Sequence, residues 1–285
     1  MRKSLKFFKG NCPKDKILEL LLWLFSFFTL GILVWILLYI LFQGIPNLSW
    51  EFLTTPYRGQ SRGVLPMIMA TLYVVLISVA ISTPIGMGAA IYLTEYAKPG
   101  RLVRVIRFAT ESLAGIPSII YGLFGYVFFV TALHLKFSLL SGSLTLGIMV
   151  LPSIIRTTEE ALKAVPDSYR EGSLALGATK LWTITKVVLP SAIPGILTGV
   201  ILSIGRIIGE TAVLIFTAGT AVQGLDVSLT DSCRTLSVHL YMLAKEGVSF
   251  QETFATATIL IFIVALINYL ASRLAANLKK GTTGV

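Results

Sequence analysis

Several apolar stretches of about 20 residues or more run through this sequence, and they constrain its fold more than any other feature. One of them extends from Ile17 to about Phe42. A helix crosses the hydrocarbon layer of a bilayer with roughly 20 mainly apolar residues. Charged residues make up only 13% of the chain, whereas a soluble domain of this length carries about 25%. The sequence therefore predicts an all-α integral membrane protein.

Six membrane-spanning helices are predicted from the apolar runs and their flanks. They cover 17–42, 64–94, 113–133, 139–156, 188–219 and 253–273. The first run follows a basic tail, but it is far longer than the apolar part of a signal peptide and lacks a cleavage site of small residues, so we expect a retained helix. Residues 64–273 are predicted to form one helical domain. A tail, a helix and an external loop precede it over 1–63, and a short tail follows over 274–285.

The 24 Lys and Arg residues are distributed unevenly among the connections. Most lie in the N-terminal tail, in the connections after the second and fourth spans, and after the sixth span. Positive charge is enriched on the cytoplasmic side of membrane proteins, so both termini are predicted to be cytoplasmic. The net charge of +10 then reflects membrane topology rather than one basic binding face, and no nucleic-acid partner is expected.

Residues with catalytic or metal-binding chemistry are sparse. This topology places Cys12 and Cys233 on opposite sides of the membrane, so neither a disulfide nor a zinc site is expected. His134 and His239 fall in external loops without a second ligand at a recognised spacing, so no metal site is expected there. The phosphate-loop pattern Gly-x4-Gly-Lys-Ser/Thr does not occur. Any process driven by ATP would therefore need a partner subunit.

The connection at 157–190 is polar and much longer than the joining of two helices requires. Its residues predict a helix–turn–helix on the cytoplasmic face. A first short helix is predicted to begin at Thr157 to Glu160 and to end at Pro166. A second is predicted to begin at Asp167, Ser168 and Glu171 and to end at Gly177. Thr179 is predicted to precede a third short helix. Ser168 and Glu171 have the spacing of a capping box, and Gly177 suits a helix C-terminus.

Small residues line part of the second of these helices, at Gly172, Ser173 and Ala175. Small side chains let another protein approach the backbone closely. An amphipathic surface helix without a partner would show the same pattern, and these residues alone do not separate the two interpretations.

Arg206 and Glu210 place two charges inside the fifth predicted span, and Thr211 adds a hydroxyl beside them. A charge at mid-bilayer costs about 3 kcal/mol, so such residues usually face a bundle interior or a water-filled path. Four residues apart, the two side chains would share one helix face. We expect Arg206 to attract an oxyanion, since its forked donors match phosphate oxygens, and Glu210 to hold and orient it. A self-neutralising structural pair is the alternative.

The connection at 157–190 also resembles the cytoplasmic signature of ABC importer permeases. That signature is Glu-Ala-Ala, three residues, Gly, nine residues, Ile, one residue and Leu-Pro. The residues at these positions are Glu171, Gly172, Ser173, Gly177, Val187, Leu189 and Pro190. The departures at Gly172, Ser173 and Val187 exchange small for small or one β-branched residue for another. In that family the segment is a coupling helix that docks in a groove of the ATPase subunit, and the resemblance implies this role here.

Longer runs of residues restrict the resemblance to one group within this family. They are Leu151-Pro152, Arg156–Leu162, Ala164–Pro166, Ser168–Glu171, Gly209–Ala212, Phe216–Ala218, Pro84–Gly86, Ala90–Tyr96, Gly115–Ser118 and Tyr121–Gly125. Over about 64–273 these runs look like the A-type (PstA-like) permease subunits of bacterial phosphate ABC importers.

This resemblance implies a type I (MetI-like) importer permease with six transmembrane helices in the bacterial inner membrane. It also implies a second homologous permease, two ATPase subunits docked on the coupling helices, and an external phosphate-binding protein. ATP and Mg would be held by the ATPase subunits, and this chain would be no enzyme and would bind no cofactor. Arg206, Glu210 and Thr211 would line the path of the phosphate.

Three other functions are weighed against this one. A permease for another oxyanion or solute would keep the cytoplasmic signature but would not need Arg206 and Glu210. A secondary transporter predicts inverted repeats or charge-lined broken helices in both halves, and it leaves the connection at 157–190 unexplained. A membrane enzyme would need a cluster of catalytic groups near one interface, and the only charges predicted to be buried are this pair.

Overall fold

The computed structural model describes residues 13–58, 61–98, 100–222, 224, 228–247 and 249–282. Cys12 lies outside these residues. The described chain is helical, apart from a hairpin of two short antiparallel strands, β1 (Tyr57–Arg58) and β2 (Ser61–Arg62). An all-α fold is therefore confirmed.

The helices follow one another with short breaks. In chain order they are α1 (Pro13–Gly44), a 3-10 turn (Ile45–Asn47), α2 (Trp50–Thr54), α3 (Leu65–Ile91) with a π-helical turn (Tyr92–Tyr96), α4 (Arg101–Ala114), α5 (Ser118–Gly125) with a π-helical turn (Tyr126–Ala132), α6 (Leu139–Lys163), α7 (Asp167–Ala175), α8 (Lys180–Thr183) with a π-helical turn (Ile184–Val188), α9 (Leu189–Gly209), α10 (Ala212–Thr217), α11 (Leu236–Glu246) and α12 (Phe250–Thr282).

Five segments of the described chain are long and apolar enough to cross a bilayer. They are Lys16–Asn47, Leu65–Tyr96, Leu139–Lys163, Lys180–Gly209 and Phe250–Ala276. The pair Arg101–Ala114 and Ser118–Ala132 is bent by 102° and gives a sixth span if it is counted as one. This count agrees with the six predicted spans. The connection predicted after the second span is itself helical, because it forms α4.

The core of the bundle lies between α3, α6 and α9, which pack side by side. The middle of α6 supplies buried apolar residues from Leu146 to Ile154, which meet Val74 of α3 and Ile207 of α9. Gly86 of α3 faces Ile154 so closely that a Cβ there would collide with it. These contacts hold α9 against the other two helices.

Helix α1 stands apart from this core. Residues 16–39 are exposed, and the helix meets α12 only toward its C-terminal end, where Gly44 lies against Phe254 and Thr258. An apolar helix exposed on all sides is stable only in lipid or against another chain. The lone first span therefore supports the membrane assignment.

The connections define two ends of the bundle. At one end, α7 and α8 with their turn form a helix–turn–helix, which we call the elbow (Asp167–Thr183). At the opposite end, which we call the far end, α11 and the connection described over 218–222 and 228–235 close over the starts of α3, α6 and α12. Leu236 packs there with Val64, Met67 and Ile259.

The structure changes one prediction at each end. Residues 157–163 do not begin a separate short helix, because α6 runs without a break to Lys163. At the far end, His239 is not in a plain loop. It lies on α11, is 1% exposed, and packs edge-on against the Tyr57 ring.

Candidate functional site

The elbow has the helix–turn–helix form that its sequence predicts. Gly177 has φ +82°, a left-handed conformation that favours glycine. Its N–H donates to the Leu174 carbonyl at 2.9 Å, and the Ala178 N–H donates to the Ser173 carbonyl at 3.2 Å. This pair of hydrogen bonds is a Schellman motif, which ends α7. The Thr179 hydroxyl then accepts from the Trp182 N–H at 3.3 Å and starts α8.

The predicted capping box at the start of α7 is wrong. Pro166 is the N-cap residue, and no side chain caps the helix. Ser168 and Glu171 therefore lie inside α7. Proline suits this place because it fixes the backbone before the first turn, and Asp167 adds a negative charge near the positive end of the helix dipole.

The six predicted coupling residues divide into two groups. Ser173 is buried between the two elbow helices, where its hydroxyl lies 2.9 Å from the Thr183 hydroxyl. Leu189 packs against the apolar cluster around Leu162 and Val188, and Pro190 follows it at the start of α9. These three residues hold the elbow together and join it to the bundle.

The other three predicted coupling residues, Glu171, Gly172 and Gly177, are exposed. A Cβ at Gly172 would meet nothing within 4 Å, so nothing in this chain requires a glycine there. Apolar side chains near these residues are also exposed to solvent. Leu176 is 90% exposed and Trp182 is 52% exposed. An apolar surface on a rigid, otherwise polar segment is typical of a protein–protein contact.

Arg170 anchors the elbow to the bundle. Its guanidinium donates to Glu95 Oε1 from Nη2 at 2.9 Å and from Nε at 3.2 Å. It also donates to the carbonyls of Leu162 and Val165, each at 2.8 Å, and to Asp167 Oδ1 at 3.1 Å. The Arg170 side chain is 18% exposed and that of Glu95 is 8% exposed. The sequence indicated neither residue as a contact, because 75 positions separate them.

The fifth span is broken at its charged pair. Helix α9 ends at Gly209, Glu210 has an extended backbone with ψ 129°, and α10 begins at Ala212. Arg206 therefore lies in the last turn of α9, and Glu210 lies beyond its end. The prediction that the two side chains share one helix face is wrong, because the helix does not continue between them.

Glu210 contacts the elements around the break. Its Oε1 accepts from the Val213 N–H at 3.5 Å, in the first turn of α10. Its carbonyl accepts from the Ser237 hydroxyl at 2.8 Å, which joins the break to α11. Among the described residues, no ion pair joins Arg206 to Glu210 or to another carboxylate. Glu210 thus supports the break instead of neutralising Arg206.

Arg206 is an exposed cation within the apolar length of the Lys180–Gly209 segment. A second polar group, Tyr121, lies near another bend of the bundle, in α5. The Tyr121 hydroxyl donates to the Leu113 carbonyl at 2.8 Å, next to the bend between α4 and α5. Thr211 is half-buried beside the break. The structure therefore places Arg206 and Thr211 beside an interrupted helix. The Tyr121 hydrogen bond at the second bend was not predicted.

The fold is similar to a chain of the solved MetNI methionine ABC transporter, with a TM-score of 0.62 and 22% identity over 76% of this chain and 94% of that chain. It is also similar to a chain of a bacterial alginate ABC transporter, with a TM-score of 0.63 and 15% identity over 95% of this chain and 96% of that chain. The fold is that of an ABC importer permease.

The sequence comparisons agree with this class. Residues 82–284 match the family of binding-protein-dependent transport system inner membrane components. The phosphate transport system permease protein PstA of Pasteurella multocida (strain Pm70) is 37% identical, covering 90% of this chain and 93% of the relative. A probable ABC transporter permease, YqgI of Bacillus subtilis (strain 168), is 32% identical, covering 89% and 92%. The chain belongs to this family and is a multi-pass inner membrane protein.

Proposed function

We propose that this chain is the permease subunit of an ATP-driven importer that carries inorganic phosphate across the cytoplasmic membrane. The observation that carries this proposal is the 35–37% identity to phosphate permeases over most of the chain. The PstA relative of Yersinia pestis, for example, is 35% identical and covers 93% of this chain. Likeness along the whole bundle supports the same substrate more strongly than a match to the elbow alone.

Arg206 supports an oxyanion as the substrate. A guanidinium within an apolar helix is costly, and such residues usually face a water-filled path or a partner. Because Arg206 forms no ion pair among the described residues, its forked donors are free to bind phosphate oxygens. In this proposal Arg206, Glu210 and Thr211 line the path, and Glu210 acts by holding the helix break beside the cation.

The elbow supports a partner that supplies the energy. Leu176 and Trp182 expose apolar surface on a segment whose shape is set by the Gly177 turn and by the Ser173 to Thr183 hydrogen bond. We infer that this surface docks on a cytoplasmic ATPase subunit, which holds ATP and Mg. The permease itself is then no enzyme.

The rest of the complex follows from this arrangement. A second homologous permease pairs with this chain, two ATPase subunits dock on the two elbows, and an external phosphate-binding protein delivers phosphate to the far end. The elbow end and both termini are cytoplasmic, in line with the concentration of Lys and Arg there. In this proposal the permease domain covers 64–273, and 1–63 and 274–285 flank it.

The first experiment removes the proposed substrate contact. Arg206→Gln should leave membrane insertion and complex assembly intact, and it should lower phosphate uptake by proteoliposomes at least tenfold, a loss of about 1.4 kcal/mol. Arg206→Lys should keep part of the uptake, because it retains the charge but not the fork. Arg273→Gln is the matched control, since Arg273 contacts only Tyr269 on its own helix among the described residues.

Normal uptake by Arg206→Gln would contradict the pathway role. Wild-type uptake that is competed by sulfate instead of phosphate would favour a permease for another oxyanion.

The second experiment fills the space above Gly172. Because a Cβ there meets no atom of this chain, Gly172→Trp should fold normally but block close approach of the ATPase subunit. Gly172→Ala is the matched control, and it should bind the ATPase like the wild type. Co-purification of the ATPase with the tagged permease is the measurement. Equal yields for the Trp and Ala variants would contradict docking at this surface.

A further inference from the structure

Arg170 links three elements that the sequence separates. It lies in the first turn of α7, whereas the Leu162 carbonyl belongs to the last turn of α6, Val165 lies just beyond that helix, and Glu95 belongs to the π-helical turn that ends α3. Helix ends leave carbonyls without helical partners. Arg170 adds a side-chain donor to two carbonyls at this helix end, and its charge is balanced by Glu95.

The elbow has other contacts with the bundle, but most of them join it to α6 and α9 and not to α3. Pro166 joins α7 to the end of α6 through the chain, and the Ser173 to Thr183 hydrogen bond joins it to α8 and so to α9. Toward α3, the described chain shows one further polar contact, where the Lys180 ammonium lies 5.0 Å from the centre of the exposed Tyr96 ring. Arg170 to Glu95 is the buried and directional contact between the elbow and α3.

The chemistry of this contact makes it stiff. A guanidinium has planar donors at fixed angles, so hydrogen bonds to a carboxylate and to two carbonyls define both its position and its orientation. Burial of Glu95 makes separation from Arg170 unfavourable, because an unpaired carboxylate would remain in a site with little water. A displacement of α7 should therefore move the ends of α3 and α6 together with it.

Those two helices lead to the substrate site. Helix α3 packs along α6, and α6 packs along α9, whose last turn carries Arg206. We propose that Arg170 is a positioning residue that transmits movement of the ATPase-bound elbow to α3 and α6 through Glu95 and the two carbonyls. This inference rests on the proposed function, because it needs the elbow to be the point at which ATPase movement enters.

The test measures how much solute is transported for each ATP hydrolysed. The full complex, with both permeases, the ATPase subunits and the binding protein, is reconstituted in proteoliposomes. Arg170→Gln should keep the ATPase subunits bound and ATP hydrolysis within about twofold of the wild type, while transport per ATP falls at least tenfold. Glu95→Gln should lower this ratio in the same direction, and the double variant should be no worse than the poorer single variant.

Arg170→Lys provides the conservative comparison, since it keeps the charge opposite Glu95 but not the fork to the carbonyls. An intermediate ratio is expected. Arg273→Gln is the control for loss of an Arg, and it should keep the wild-type ratio.

Two results would overturn the inference. One is an unchanged ratio in Arg170→Gln and Glu95→Gln. The other is a parallel loss of transport, hydrolysis and bound ATPase in both variants, since a merely structural anchor would behave that way. A wild-type complex that carries a solute other than phosphate would count against the proposed substrate, but the same ratio for that solute would still test Arg170.

Discussion

The two ends of the bundle are both closed by long connections, yet they are held by different kinds of contact. At the elbow end, two short helices are anchored by side chains, above all by Arg170 on Glu95. At the far end, the connection described over 218–222 and 228–235 has little regular structure and is held by its backbone. Its carbonyls at Leu229 and Asp231 accept from the N–H groups of Leu140 and Leu139.

This difference explains how each end is stabilised. The first N–H groups of a helix have no partner within the helix, and at α6 the far-end segment supplies carbonyls for them. Ser138, the N-cap residue, adds its hydroxyl, which accepts from the Ser141 N–H at 3.1 Å. At the elbow end, the described residues show no backbone hydrogen bond from α7 to a distant helix, and α8 joins the bundle by continuing into α9. The elbow end is thus held mainly by side-chain contacts, whereas the far end is closed by backbone hydrogen bonds.

The largest effect that would test this comparison is expected from substituting one glycine at each end of the bundle. Gly219 and Gly177 both have positive φ, at +90° and +82°. A Cβ at Gly219 would collide with the Ser232 hydroxyl, whereas one at Gly177 meets nothing within 4 Å. Gly219→Ala should therefore cost about 4 kcal/mol through backbone strain and overpacking. Gly177→Ala should cost about 1 kcal/mol through strain alone.

Thermal unfolding midpoints of the detergent-solubilised chain provide the measurement, with the wild type melted in parallel. Equal losses at the two positions would mean that the far end is no more tightly packed than the elbow. The comparison between the ends would then be wrong.

A smaller effect is expected from His239, which reports on burial at the far end. Burial first, and the nearby charge of Arg234 second, lower the pKa of His239 to about 4. Arg234 Nη1 lies 3.5 Å from His239 Nδ1, and the Tyr57 ring packs against the imidazole. In the unfolded chain the pKa of a His is about 6.5. The unfolded state therefore binds more protons between these values, and stability should fall as the pH drops from about 6.5 to 4, by at most about 3 kcal/mol.

His239→Asn should remove this pH dependence, because the amide oxygen still accepts from Arg234 but does not titrate. The exposed His134 gives the matched control, and His134→Asn should keep the wild-type slope of the unfolding midpoint with pH. If the slope survived in His239→Asn, another group would be responsible for it.

The candidate site was predicted in part. The elbow was predicted because its ends depend on local residues, namely the Gly177 turn and the Thr179 cap, whose effect reaches only a few positions along the chain. Arg206 was identified because a charge in an apolar span is conspicuous. The pairing of Arg206 with Glu210 was wrong, because the helix break between them is set by α10 and Ser237 and not by a local signal.

The contacts that couple distant parts of the chain could not be predicted in the same way. Arg170 and Glu95 were visible as charges beside apolar runs, but nothing in their spacing indicated that they meet. Tyr121 of α5 reaches the Leu113 carbonyl of α4 only because the chain bends between these two helices. At the far end, His239 was predicted in a loop and is buried, because its burial depends on packing against the Tyr57 hairpin.

The sequence by itself determined that the chain is a membrane protein, the number of its spans and the helix–turn–helix of the elbow. Apolar length, charge distribution and helix-ending residues act locally, so each leaves a pattern along the chain. The tertiary structure alone decided where the fifth span breaks, how the far end closes over α6, and that Arg170 joins the elbow to α3. Those features depend on groups far apart in sequence, which come within hydrogen-bonding distance only when the helices pack.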